Sequence, residues 1–148
     1  MTRPLVQVTR LPHHDGLPLP ARQTPGSAGY DLASADPDFT LAPLERRLVR
    51  TGIALAIPAG FEGQVRPRSG LALKHGVTLP NTPGTIDSDY RGEVMIPLIN
   101  LGTTAVPIPR GTRIAQIVFQ RVEDVELRRV DELPASERGA GGFGSTGA

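Results

Sequence analysis

Fifteen prolines and seventeen glycines run the length of this 148-residue chain instead of pooling in one linker, and they cut it into pieces of strand length. That punctuation argues for an all-β fold. Residues 5–9 alternate, with Leu5, Gln7 and Thr9 on one side and Val6 and Val8 on the other, as a first strand does. A polar, proline-rich connection covers residues 11–25. Strand candidates follow at 39–41 and 48–57, where Ile53, Leu55 and Ile57 share a face before Pro58, Ala59 and Gly60 turn the chain into another at 61–66. Residues 94–101, 105–108, 114–122 and 125–130 complete the set. The 94–101 run is apolar at successive positions, which predicts burial on both faces, inside the chain's own core or against a second copy. Only residues 69–74 have helical composition, one or two turns long, with Ser69 as cap and Leu71, Ala72 and Leu73 as the apolar side. The Pro-Arg-Ser-Gly stretch then lies at a helix N-terminus, where backbone amides face an anion.

With 39% hydrophobic residues, one domain with a real core is expected. Sixteen basic against fifteen acidic residues leave a net charge of +1, so no global field gathers nucleic acid or an anionic membrane, and any anion must be held locally. Zero cysteines exclude a disulfide scaffold, a thiolate nucleophile and cysteine-ligated zinc, and fit a reducing compartment. Three histidines, two of them adjacent at His13 and His14, are poor material for a metal cage. The N-terminus lacks the profile of a signal peptide, and no apolar run approaches the roughly 20 residues of a membrane span. The expectation is a cytoplasmic protein that engages neither nucleic acid nor membrane.

Chemistry concentrates at residues 81–93, Asn-Thr-Pro-Gly-Thr-Ile-Asp-Ser-Asp-Tyr-Arg-Gly-Glu. The stretch reads as a hairpin with a tight polar turn from Asp87 to Tyr90, released by Gly92 into the next strand. A plain turn explains Asp89 well but rarely needs Asp87, Asp89, Tyr90 and Arg91 together. Beyond Pro134 the composition changes to Arg-Gly-Ala-Gly-Gly-Phe-Gly-Ser-Thr-Gly-Ala over residues 138–148. Most glycine-rich ends are disordered tails. Phe143 among bare glycines, with Arg138, Ser145 and Thr146 as phosphate-compatible donors, instead suits a mobile lid over a nucleotide.

Five stretches can be read together: Ala28-Gly29-Tyr30-Asp31-Leu32, Pro67-Arg68-Ser69-Gly70-Leu71-Ala72, the run 81–92, Gly111-Thr112-Arg113-Ile114-Ala115-Gln116, and 138–147. In order and spacing the set resembles the five motifs of the homotrimeric dUTP pyrophosphatases, or dUTPases, and five in register are far more specific than any one. Thr112 departs from the pattern, standing where the family often has an acidic residue.

The resemblance implies a single jelly-roll-like β-barrel with one short helix over residues 1–137 and a mobile C-terminal arm at 138–148. It implies hydrolysis of dUTP to dUMP and pyrophosphate, with Asp87 as the general base for a water attacking the α-phosphorus. Tyr90 would pack on the deoxyribose and exclude a 2′-hydroxyl. Asn81, with the backbone of Thr85, Ile86 and Asp87, would read the uracil edge. Met95 falls at a substrate-contact position and equally suits a core. Arg68, Ser69, Gly70 and Gln116 would meet the phosphates, although Gln116 on an alternating strand suits plain exposure too. Asp31 would lie near Mg²⁺, through a water molecule. Phe143 would stack on the uracil, with Arg138, Gly144 and Ser145 beside the substrate. A homotrimer with sites shared between subunits is implied as well. Two other readings on the same fold are a relative of dCTP deaminase and a non-catalytic nucleotide-binding module; Asp87 and the arm favour neither.

Overall fold

Short antiparallel strands carry the chain in a computed structural model that describes residues 3–145 and 147. The strands are β1 (Gln7–Arg10), β2 (Tyr30–Ala33), β3 (Phe39–Leu41), β4 (Arg46–Ala56), β5 (Phe61–Arg66), β6 (Val77–Thr78), β7 (Gly84–Ile86), β8 (Glu93–Asn100), β9 (Val106–Ile108) and β10 (Arg113–Arg121). They form sheets of order β1-β4-β8-β6 and β2-β10-β5-β7, with β3 and β9 pairing separately. Helix α1 (Ser69–His75) is the one helix of any length among the described residues, and none there is long and apolar enough to cross a membrane. This is the jelly-roll-like all-β fold with one short helix that the sequence implies.

The core lies between the sheets. Alternation builds it: Val94, Ile96 and Leu98 of β8 and Ile53 of β4 come from one sheet and Ile114 and Ile117 of β10 from the other, each almost fully buried. Leu55 and Ile57 join Ile53 there, as their shared face requires. Among polar residues Asn100 is fully buried, its amide donating to the carbonyls of Leu41 and Thr104 while its oxygen accepts from the Gly102 N–H. A buried amide is tolerated because its hydrogen bonds are made.

Three readings need correction, and one, the double burial of β8, is narrowed to its second alternative. Residues 81–93 turn back at Asp87, but β7 pairs with β5 and β8 pairs with β4 and β6, so the two arms belong to different sheets. Ser69 is the first helical residue of α1, not its cap; Arg68 takes the cap position without a side-chain cap bond, and Leu73 is 88% exposed. A short helix lying along the surface buries one flank only, so its apolar residues cannot all turn inward. On β8 the second face is not covered within the chain: Met95 is 41% exposed and Pro97 and Ile99 are half-buried. Residues 125–130 form no strand and lie exposed, because no strand of this chain is paired to them.

Candidate functional site

Sheet register brings three of the motifs side by side. On β10, Gln116 pairs with Asp31 of β2 on one flank and with Arg66 of β5 on the other. β5 then runs through Pro67 directly into Arg68 and α1. Tyr30, beside Asp31, is held to β10 by an edge-on contact with Phe119 at 5.8 Å between ring centroids. The result is a cleft of about 360 Å³ walled by Ser27, Gly29, Asp31, Arg68, Ser69, Gly70 and Gln116.

The cleft is preorganised for an anion. Asp31 holds two guanidinium groups at once, Arg68 Nε at 3.2 Å from one carboxylate oxygen and Arg113 at 3.2 Å from the other. Arg68 also donates to the Arg113 carbonyl at 3.3 Å, so the rotamer entropy of a long cationic side chain is spent before any ligand arrives. Gln116 is half-buried, its amide nitrogen donating to the Pro67 carbonyl at 3.0 Å. Plain exposure is therefore ruled out. Gly29 makes room for it, since a Cβ at that position would lie 2.3 Å from the Gln116 side-chain oxygen. Gly70 is different: a Cβ there would meet no atom within 4 Å, so packing does not demand glycine.

A second cavity of about 360 Å³ lies along the 81–93 loop, lined by Asn81, Thr85, Ile86, Asp87, Tyr90 and Met95, among others. β7 ends its sheet, so beyond its pairing with β5 it offers an open edge whose backbone groups need partners. The turn itself is stapled. The Tyr90 N–H donates to the Asp87 carbonyl at 3.2 Å, and Arg91 folds back to donate to the carbonyls of Ser88 and Tyr90 at 2.6 and 2.9 Å. Arg91 thus serves the turn in which Asp89 sits, while Asp87 and Tyr90 line the cavity. Met95 lines it too and is not a core residue.

The two cavities share no lining residue. Nor does the chain bring its arm to either. Phe143 is fully exposed with φ of 50°, and Arg138 donates to the Gly141 carbonyl at 2.8 Å within the arm. Gly144 and Ser145 stay in that exposed turn, the Ser145 N–H donating to the Gly142 carbonyl at 3.0 Å. Thr146 lies outside the described residues. Arg113 of the fourth motif reaches the first cleft only through its ion pair with Asp31, a tertiary fact that no local pattern carries.

Whether the first cleft suits Mg²⁺ turns on Asp31. Both of its oxygens are engaged by arginine, and no cluster of three or more metal-ligating side chains occurs among the described residues. A direct protein cage is therefore absent from this set, whereas an ion that keeps its waters and takes other ligands from phosphates fits one nearby carboxylate.

A β fold with an arginine-lined cleft and, apart from it, a cavity with an open strand edge and a carboxylate has the features of a small-ligand binder. The dUTPase family model matches residues 15–147. The chain belongs to the dUTPase family. It is 54% identical over 147 residues to the deoxyuridine 5′-triphosphate nucleotidohydrolase of Rhizobium meliloti (strain 1021), covering 97% of this chain and 92% of that protein. It is 57% identical over 152 residues to the protein of the same name in Methylocella silvestris, covering all of this chain and 95% of the relative. Among solved structures, the Staphylococcus bacteriophage 80alpha dUTPase with dUPNHPP superposes with a TM-score of 0.89 at 30% identity, over 97% of this chain and 99% of that one. A mutant dUTPase from phage phi11 of S. aureus, solved with a structural Mg(II) ion, gives 0.79 at 25% identity, over 88% and 99%.

Proposed function

We propose that this protein hydrolyses dUTP to dUMP and pyrophosphate, which keeps uracil out of DNA and supplies dUMP for thymidylate synthesis. The observation that carries the reading is the match of the dUTPase family model across residues 15–147, joined to a geometry that offers separate seats for phosphates and for a base with its sugar.

Asp87 accepts the proton of a water that attacks the α-phosphorus. A new P–O bond forms on one side, the bond from the α-phosphorus to the bridging oxygen breaks on the other, and pyrophosphate leaves with the electron pair. Arg68, Ser69, Gly70 and Gln116 hold the phosphates, where preset donors stabilise charge as it shifts to the leaving group. Mg²⁺, when bound, offsets phosphate charge, and Asp31 would meet it through water.

Asn81 and the open edge of β7 read the base. Cytosine presents a donor where uracil presents an acceptor, so at one position two donors would face each other. The Tyr90 ring closes the sugar side against a 2′-hydroxyl. Met95 supplies apolar contact at the same cavity, and Phe143 stacks on the base when the arm closes, bringing Arg138, Gly144 and Ser145 to the substrate.

The disjoint cavities, the exposed second face of β8 and the fully exposed Phe143 support a homotrimer in which one subunit's loop, a second subunit's cleft and a third subunit's arm complete each site. Residues 1–137 then form the β domain and residues 138–148 the closing arm. A cytoplasmic location follows the nucleotide pool and the cysteine-free composition, and cell fractionation checks it. The activity is tested by pyrophosphate release across dUTP, dCTP, dTTP and UTP with Mg²⁺. Release from dUTP alone is expected; ammonia release from dCTP, or binding without turnover, would overturn the reading.

A further inference from the structure

The start of β8 carries an arrangement that neither catalysis nor core packing requires. Between Arg50 and Ala54 the β4–β8 register slips, so four residues of β4 span what two residues of β8 span. Such a bulge strips ladder partners from the backbone. Side chains replace them: the Thr51 hydroxyl donates to the Val94 carbonyl at 2.5 Å, and Glu93 Oε1 accepts the Gly52 N–H at 2.9 Å. Those bonds tie the bulge to β8. Yet Glu93 Oε1 takes one more donor, the ring of His13, whose Nε2 lies 2.5 Å away. With the hydrogen on Nε2, the ring donates to the Glu93 carboxylate. His13 comes from the turn at Pro12–His14, 80 positions distant in sequence, and the pair is largely shielded, at 28% and 15% side-chain exposure.

Glu93 also receives Tyr90. The phenol donates to the Glu93 backbone carbonyl at 2.9 Å, and the ring lies over Gly92 so closely that a Cβ there would be 2.4 Å from the phenol oxygen. Tyr90 is 43% exposed, so packing alone does not fix its ring. Its anchor is the Glu93 carbonyl, and the residue bearing that carbonyl is clamped at its carboxylate by His13.

We propose that His13 is a positioning residue for the Tyr90 ring, acting through Glu93, and thereby sets how strictly the enzyme separates dUTP from UTP. This rests on the reading of Tyr90 as the wall against a 2′-hydroxyl. His13 touches no substrate; it narrows the range of places the ring can occupy.

The test measures kcat and KM for dUTP and UTP on the full-length protein and its variants, with thermal unfolding on the same preparations. His13→Ala is expected to lower the dUTP-to-UTP ratio of kcat/KM by roughly 3- to 10-fold, the range for losing one hydrogen bond, mainly through KM. His13→Gln, whose amide can still donate to Glu93, should restore most of the ratio. Tyr90→Phe, which cuts the phenol bond to Glu93, should lower the ratio similarly, and adding His13→Ala to it should cost little more because both act on one path. An unchanged ratio in His13→Ala, or full additivity with Tyr90→Phe, overturns the proposal. Should His13→Ala not fold, His13→Phe takes its place, keeping the ring's bulk without a donor for Glu93: an unchanged ratio there overturns the proposal. Tyr90→Ala separates this inference from its premise. If that change leaves the ratio intact, the sugar-wall reading falls and takes the His13 role with it. If Tyr90→Ala erodes the ratio and His13→Ala does not, only the His13 role falls.

Discussion

Asp87 stands at the turn where backbone bonds fix its main chain and leave the carboxylate toward a cavity, so its chemistry can be removed without disturbing the fold. Asp87→Asn keeps the size of the side chain but cannot take a proton from water. Turnover should fall by about 10²-fold or more while nucleotide binding persists, measured by pyrophosphate release beside equilibrium binding of dUTP. Near-normal turnover would move the base elsewhere. Another residue decides behaviour in acid. Burial, then the charges of Arg10 and Arg110 and the neighbouring His13, hold the pKa of His14 below its usual 6.5. Its Nδ1 is buried without a hydrogen-bond partner. As pH falls the unfolded chain takes the proton first, so the stability contributed by neutral His14 is present above about pH 6.5 and is lost as pH drops through the lower folded-state value. The melting temperature should decline across that window, and His14→Leu should flatten the slope. An identical slope in that variant would assign the acid loss to other groups.

At the level of elements, the sequence exposed the long strands and the short β1, β3 and β9, and hid β2, β6 and β7. β4, β5, β8 and β10 were legible because each alternates over enough residues to outweigh chance. β2, β6 and β7 have two to four residues, too few for a period, and what fixes them is the neighbour they pair with. The 81–93 loop shows the same limit. Its turn residues announce a reversal, but which sheet each arm joins is a tertiary choice, and a local pattern cannot hold it. The motif residues Asp31, Arg68 and Gln116 were legible as a set, whereas the ion pairs from Asp31 to Arg68 and Arg113 were not. Helix α1 offers a prediction at this scale. It ends at Gly76 with φ of 70°, whose N–H donates back to Ala72 and Leu71, and a Cβ there would lie 2.5 Å from the Gly102 nitrogen. Gly76→Ala therefore meets both left-handed strain and a backbone clash, and should cost roughly 1 to 3 kcal/mol or more in a denaturant titration. A loss of only a few tenths would mean that the 101–102 turn moves aside easily.

For the whole molecule, the question is how seats that lie apart in one chain come to serve one substrate. The cleft of β2, β5 and β10, proposed for the phosphates, and the cavity along β7 and the loop after it, proposed for base and sugar, share no lining residue, and Phe143 is fully exposed. Deleting residues 138–148 should leave the melting temperature and assembly mass unchanged, because a glycine-rich segment with one phenylalanine, itself fully exposed, adds almost no buried apolar area. Turnover should still collapse, since closure brings the ring to the base and excludes bulk water from the phosphates. Phe143→Ala isolates the ring and should cost roughly 1 to 3 kcal/mol in kcat/KM, the scale of an aromatic stacked on a base. Mixing decides whether the arm serves its own chain or another. Asp87→Asn chains keep the arm, truncated chains keep the base, and each assembly alone should be nearly inactive. Refolded together in equal amounts, they form sites at random. If base and arm come from different subunits, about one quarter of the sites regain both, and activity returns to about that fraction. If base and arm come from the same chain, no mixed site is complete and the mixture stays as inactive as its parents.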